Sequence, residues 1–126
     1  MKIRILNKLF ITALCASLTA CDTGDQSNIA DIIDNTSKHK GESITLDMVV
    51  DEEIMPGRGR TLRDYAGYEV KFHAYGPKSE RLDAVIMIPK GMDVPNVCYN
   101  DKVNVTFICG EGDLLRGNVA ESIKRP

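Results

Sequence analysis

No stretch of this 126-residue sequence is apolar for long enough to cross a membrane as a helix, which takes about 20 residues. The longest candidate, Leu9 to Ala16, runs to roughly half of that before small and polar residues follow. Histidine is scarce too: His39 and His73 stand far apart, with no cluster of ligands around either, which argues against a metal centre. No Cys-x-x-Cys pair occurs, the spacing that usually tunes a redox-active thiol. The Gly57-x-Gly59 and Gly110-x-Gly112 pairs lack the strand-to-helix setting of a phosphate-binding loop and read as turns. Acidic residues are absent before Asp22. What stands there instead is a basic opening of Lys2, Arg4 and Lys8, the apolar run, and small residues, the layout of a secretory signal peptide.

That leader ends in Leu18-Thr19-Ala20-Cys21. The segment resembles the lipobox of bacterial lipoproteins, with a branched apolar residue three before a cysteine and small residues between. The resemblance implies residues 1–20 as a removed signal peptide and Cys21 as the new first residue, its thiol carrying diacylglycerol and its amino group often acylated, with chains such as palmitate. One acyl chain binds a membrane marginally, at about 0.8 kcal/mol per buried methylene, whereas two or three hold firmly. Asp22, directly after the cysteine, resembles the signal that retains enterobacterial lipoproteins in the inner membrane. The expected location is therefore the cell envelope, with the domain in the periplasm.

Discarding the leader changes the charge. Thirteen of the sixteen basic residues remain against all eighteen acidic ones, so the mature chain carries a formal net charge of −5. An acidic domain outside the cytoplasm lacks the basic footprint of a nucleic-acid binder. With Cys15 removed and Cys21 lipidated, Cys98 and Cys109 remain in a compartment where disulfides persist, and a structural bridge between them is expected.

Residues 21–28 are polar, with Gly24 and Ser27, and read as a lipidated tether without fixed structure that lifts the domain off the membrane. The domain itself, residues 29–126, opens with a short helix capped by Ser27 or Asn28, in which Ile29, Ile32 and Ile33 fall at helical spacing. From Ser43 the period changes to two. Five strands are predicted: Ser43–Val50, Tyr68–Tyr75, Arg81–Ile88, Lys102–Cys109 and Leu114–Ile123. Asp51 to Gly67, with Pro56-Gly57-Arg58-Gly59-Arg60 inside it, makes a long first connection. On the third strand Val85 and Met87 make the second face apolar as well.

This pattern predicts a mainly β fold, a small five-stranded OB-like Greek-key barrel preceded by one short helix, with another small barrel or a sandwich as the alternative. The Ile-rich helix, then "KGESITLDMVV", then "DKVNVTFICGEGDLLRGNVAESI", is similar to the tRNA_anti-like OB-fold domains of bacterial lipoproteins. Two departures are Asn100-Asp101 in place of glycine-aspartate, and a segment from Lys90 to Asn100 too short and proline-broken for the family's helix between strands three and four.

The binding surface implied by an OB-like fold is the outer face of strands two and three with the adjacent loops. Here that face carries Lys71, His73 and Tyr75, and the long loop carries Arg58, Arg60, Arg63 and Tyr65, residue types that dominate many protein interfaces. A solvated loop whose arginines pair with Asp51, Glu52, Glu53 and Asp64 is the competing reading. No nucleophile stands beside a histidine and an orienting acid, and Glu52 and Glu53 are sequence neighbours instead of carboxylates opposed across a cleft. The expectation is a non-catalytic, cofactor-free binding module for an envelope protein or oligosaccharide. The alternative is an accessory lipoprotein of a secretion, conjugation or exclusion assembly.

Overall fold

The computed structural model describes residues 24–51, 61–110 and 114–126. The leader, Cys21, Asp22, Arg58 and Arg60 lie outside the described residues. None of the described helices is long and apolar enough to cross a membrane.

Alternation makes the strands. In β1 (Ser43–Val50), Ile44, Leu46, Met48 and Val50 are buried while Ser43, Thr45, Asp47 and Val49 point outward. The same parity governs β2 (Glu69–Tyr75), with Val70, Phe72 and Ala74 inward, and β3 (Arg81–Met87), with Leu82, Ala84 and Ile86 inward. In β4 (Lys102–Ile108) Val103, Val105 and Phe107 enter the core. Phe72 and Phe107 are fully buried, each contributing about 1.5–3 kcal/mol relative to exposure.

The strands close into a barrel in the order β1-β2-β3-β5-β4, with β1 returning to β4. All neighbours are antiparallel except β3 and β5, which run parallel through Ile86↔Asn118 and Met87↔Val119. The last strand, β5 (Asn118–Lys124), starts four residues later than the alternation suggests, because Leu114 to Gly117 form a turn. Its irregular pattern has a local cause. The β4–β5 register shifts between Thr106 and Phe107, which pair with Ser122 and Ala120, so Glu121 is the extra residue of a bulge. Ala120 and Ile123 can then both face inward although they are three apart.

The N-terminal segment is part of the domain. Beyond its pairing with β2 at Val49↔His73 and Val50↔Phe72, β1 is joined along its earlier half by residues 24–26. Asp25 N–H donates to the Thr45 carbonyl at 3.0 Å. The Gln26 amide accepts from Asp47 N–H at 2.8 Å and donates to the Asp47 and Tyr75 carbonyls at 3.1 and 3.0 Å, spanning the seam between β1 and β2. Gly24 lies so close to the Asp47 nitrogen and the Leu46 carbonyl carbon that a Cβ there would clash with both. Residues 24–28 are therefore docked, which corrects the expectation of an unstructured tether reaching to Asn28.

The helix α1 (Ile29–Asp34) turns Ile29 and Ile32 into the core, while Ile33 is exposed. Neither expected cap bonds the helix backbone. Ser27 Oγ and Asn28 Nδ2 donate instead to the two carboxylate oxygens of Asp25. Behind α1, His39 joins Asp31 to Glu42: Nε2 is 2.8 Å from Asp31 Oδ2 and Nδ1 is 2.7 Å from Glu42 Oε1. The hydrogen bond to Glu42, then that to Asp31, raises the His39 pKa against the opposing effect of burial. A raised histidine pKa contributes stability that is complete below the unfolded value of about 6.5 and lost as pH rises through the folded value. Asp31, lowered chiefly by the same contact, contributes above its unfolded value and is lost in acid. Thermal unfolding across neutral pH is expected to show wild type losing its advantage over His39→Gln as the pH rises. Parallel curves for the two proteins would contradict this latch.

The Cys98 to Cys109 bridge is not made. Cys98 belongs to a turn in which Asp101 N–H donates to its carbonyl, just before β4, whereas Cys109 follows β4 and pairs with Glu42. At about 3.3 Å per residue the strand holds the two on the order of 20 Å apart, and a disulfide needs Cα atoms within about 7 Å. Cys109 is buried, which raises its thiol pKa. Reduction under denaturing conditions is therefore expected to leave the intact mass unchanged, and a gain of two hydrogens would contradict the separation.

Candidate functional site

The outer face of the β2–β3 hairpin gathers the charged side chains. Five residues, Gly76 to Glu80, reverse the chain, so Tyr75 pairs with Arg81, His73 with Asp83 and Lys71 with Val85. Outward parity on both strands then sets Lys71, His73, Tyr75, Arg81 and Asp83 side by side. Asp51, the residue after β1, joins them because its N–H donates to the Lys71 carbonyl at 2.9 Å.

Asp51 is the centre of the cluster. Its Oδ2 lies 3.2 Å from Arg81 Nη2 and 3.8 Å from Lys71 Nζ, and its Oδ1 lies 3.4 Å from His73 Nδ1. The last approach lacks hydrogen-bond geometry, so His73 Nδ1 is buried without a hydrogen-bond partner among the described residues. The His73 and Asp51 side chains are 12% and 18% exposed, so both lie largely out of water. Arg81 also donates from Nε to Asp83 Oδ1 at 3.0 Å and from Nη1 to Tyr75 Oη at 3.1 Å. The Asp83 bond, then the Tyr75 bond, pushes the guanidinium pKa up. Its carbon stands 5.8 Å from the Tyr75 ring centroid, and the His73 ring meets Tyr75 edge-on at 5.5 Å. Two cations and two carboxylates nearly cancel here. The face presents oriented donors and an aromatic ring, 49% exposed in Tyr75, with little net charge.

The sequence-based site is divided by the structure. Lys71, His73 and Tyr75 share this face as expected. Arg63 and Tyr65 do not: they sit in a 3-10 helix, Leu62–Tyr65, just before β2 and away from Tyr75 along the strand. Arg63 Nε donates to the Val94 carbonyl at 3.1 Å, and Tyr65 packs against the core. Asp64 closes a capping box with Thr61. Arg81, Asp83 and Asp51 were missed as site members. The signal that could have found Arg81 and Asp83 was the hairpin register, since a five-residue turn starting at Gly76 sets Arg81 opposite Tyr75.

A second surface feature is apolar. Met87, Val119 and Ile108 form a cross-strand row on the outside of β3, β5 and β4. Val119 is exposed and the other two are half-buried. Val85 is half-buried, its N–H donating to the Leu114 carbonyl at 2.9 Å. Among the described residues no group of three or more His, Cys, Asp or Glu side chains could hold a metal ion.

Compared with known proteins, the chain matches no family model, no curated protein and no solved structure.

Proposed function

We propose that this protein is a lipoprotein of the bacterial envelope, anchored through acyl chains on Cys21, whose barrel is a non-catalytic binding module exposed to the periplasm. Asp22 favours the inner membrane. The strand order β1-β2-β3-β5-β4 with β3 parallel to β5 supports an OB-like Greek-key barrel, a fold whose second and third strands commonly bind ligands. The observation that carries the reading is the Asp51-centred face of Lys71, His73, Tyr75 and Arg81 on those two strands. Its preset hydrogen-bond donors and exposed tyrosine suit a protein segment or an envelope oligosaccharide. Asp51 is engaged by Arg81 and Lys71, which suits a binding surface better than a catalytic base.

The second reading is an accessory subunit of a secretion, conjugation or exclusion assembly, favoured by the apolar row of Met87, Val119 and Ile108. Substituting Lys71, Tyr75 and Arg81 together by alanine separates the two. Crosslinked partners recovered from intact cells are expected to disappear for that variant and to persist for Val119→Asp. The reverse pattern would support the assembly subunit and overturn the binding module.

A further inference from the structure

We propose that the barrel lies directly on the membrane, with the β1–β2 seam against the phospholipid headgroups. The proposal rests on the lipidation of Cys21. From Gly24 onward the chain is fixed to the barrel, since Gly24 abuts the β1 backbone and Asp25 and Gln26 bond to Thr45, Asp47 and Tyr75. Asp22 and Thr23 alone separate Gly24 from Cys21. Three residue steps span at most about 11 Å, whatever path they take. The acyl linkages of Cys21 sit at the base of the headgroup layer, which is roughly 5–8 Å thick in each leaflet. Gly24 therefore sits within or just above the headgroups, and the seam that it fills goes with it.

The surface beside the seam suits that position. A groove of about 330 Å³ opens there, bordered by Gln26, Asp47, Tyr75, Lys102 and Pro126. Lys102 and Asp47, both exposed, offer one charge of each sign, the complement of a zwitterionic headgroup's phosphate and amine. Tyr75 adds an exposed ring of the kind enriched at membrane interfaces. In the closed ring of strands β5 lies opposite the β1–β2 seam, two strands away in either direction. The Met87, Val119 and Ile108 row consequently faces away from the membrane, while the Asp51 cluster beside Tyr75 stands near it, where it would meet partners lying close to the bilayer.

Quenching in vesicles tests this. The mature lipidated protein, purified from membranes as Cys98→Ser with a fluorophore on Lys102→Cys or Val119→Cys, is reconstituted in phosphatidylcholine vesicles carrying a headgroup nitroxide lipid. Cys109 is buried and stays unlabelled in the folded protein. Quenching is expected to be several-fold stronger at position 102 than at 119, and a flexible Gly-Ser spacer inserted between Asp22 and Thr23 is expected to erase the difference. Equal quenching of the two positions without the spacer overturns the proposal. The mass of the same preparation keeps the two claims apart. Acyl chains on Cys21 with equal quenching defeat the orientation alone, whereas a mass without acyl chains defeats the anchoring and the orientation together.

Discussion

Replacing Asn118 by alanine is expected to cost about 3 kcal/mol of folding stability, since each buried group left unpaired costs about 1–3 kcal/mol. The side chain is fully buried and makes three hydrogen bonds among the described residues. Its Oδ1 accepts from Gly110 N–H at 2.8 Å, and its Nδ2 donates to the Leu114 carbonyl at 2.8 Å and the Val85 carbonyl at 3.0 Å. It thus ties β3, the end of β4 and the turn into β5 together where the barrel closes through two parallel residue pairs. The Leu114 carbonyl keeps the Val85 N–H at 2.9 Å, which is why the total stays below the sum of three full penalties. For a domain of this size the loss corresponds to a fall in Tm of roughly 15 °C. Asn118→Leu restores bulk without the bonds and is expected to be nearly as damaging. Denaturant unfolding checks both, and a loss under about 1 kcal/mol in Asn118→Ala would mean that barrel closure does not depend on this clasp.

Ile29→Ala combined with Ile32→Ala is expected to be more severe. Truncating a buried isoleucine costs about 2–5 kcal/mol, so the pair removes about 6 kcal/mol from a total stability on the order of 5–15 kcal/mol. Both side chains are buried in the core, and Ile29 packs beside Gly76 at the end of β2. Ile33→Ala, one residue on and exposed, should change stability by less than about 0.5 kcal/mol. Thermal unfolding of the two variants distinguishes a helix that belongs to the barrel from one that merely precedes it. An unchanged Tm in the double variant would restore the N-terminal segment to the status of a linker.

Both results concern parts of the chain that the sequence showed incompletely. Alternation exposed β1 through β4 to within a residue at each end, because each strand buries one alternating set of apolar residues, although β4 buries Asn104 as well. It failed in β5, where a bulge at Glu121 shifts the inward parity, and where polar Asn118 breaks the apolar alternation although it is the residue that bonds the closing strands. Composition misled at residues 24–28. They are polar because Asp25 and Gln26 hydrogen-bond to strand backbone and to their neighbours, and a polar run docked in a seam has the composition of a disordered one. The cysteine pairing failed for a different reason: a loop of suitable length in sequence was stretched end to end by a strand.

The candidate site was legible by halves. Strand parity placed Lys71, His73 and Tyr75 on one face, but parity within a strand says nothing about its neighbour. The contributions of Arg81 and Asp83 depended on the hairpin register, and that of Asp51 on the β1–β2 pairing. Arg63 and Tyr65 looked like part of the same surface because an OB-like fold sets loops beside strands two and three, yet the end of this connection is packed. Leu62 is buried and its N–H donates to the Val97 carbonyl at 2.7 Å.

Under the proposed function, the protein binds through the outer face of β2 and β3. A photoreactive residue placed in turn at Lys71, Thr45 and Val119 in the full-length protein, with crosslinking in intact cells, tests it most directly. Each position points outward on a different strand, so each reports on one side of the barrel. A discrete adduct at position 71, lost when Arg81→Ala and Tyr75→Ala are added and absent at 45 and 119, is the predicted result. Adducts at 119 with none at 71 would contradict it.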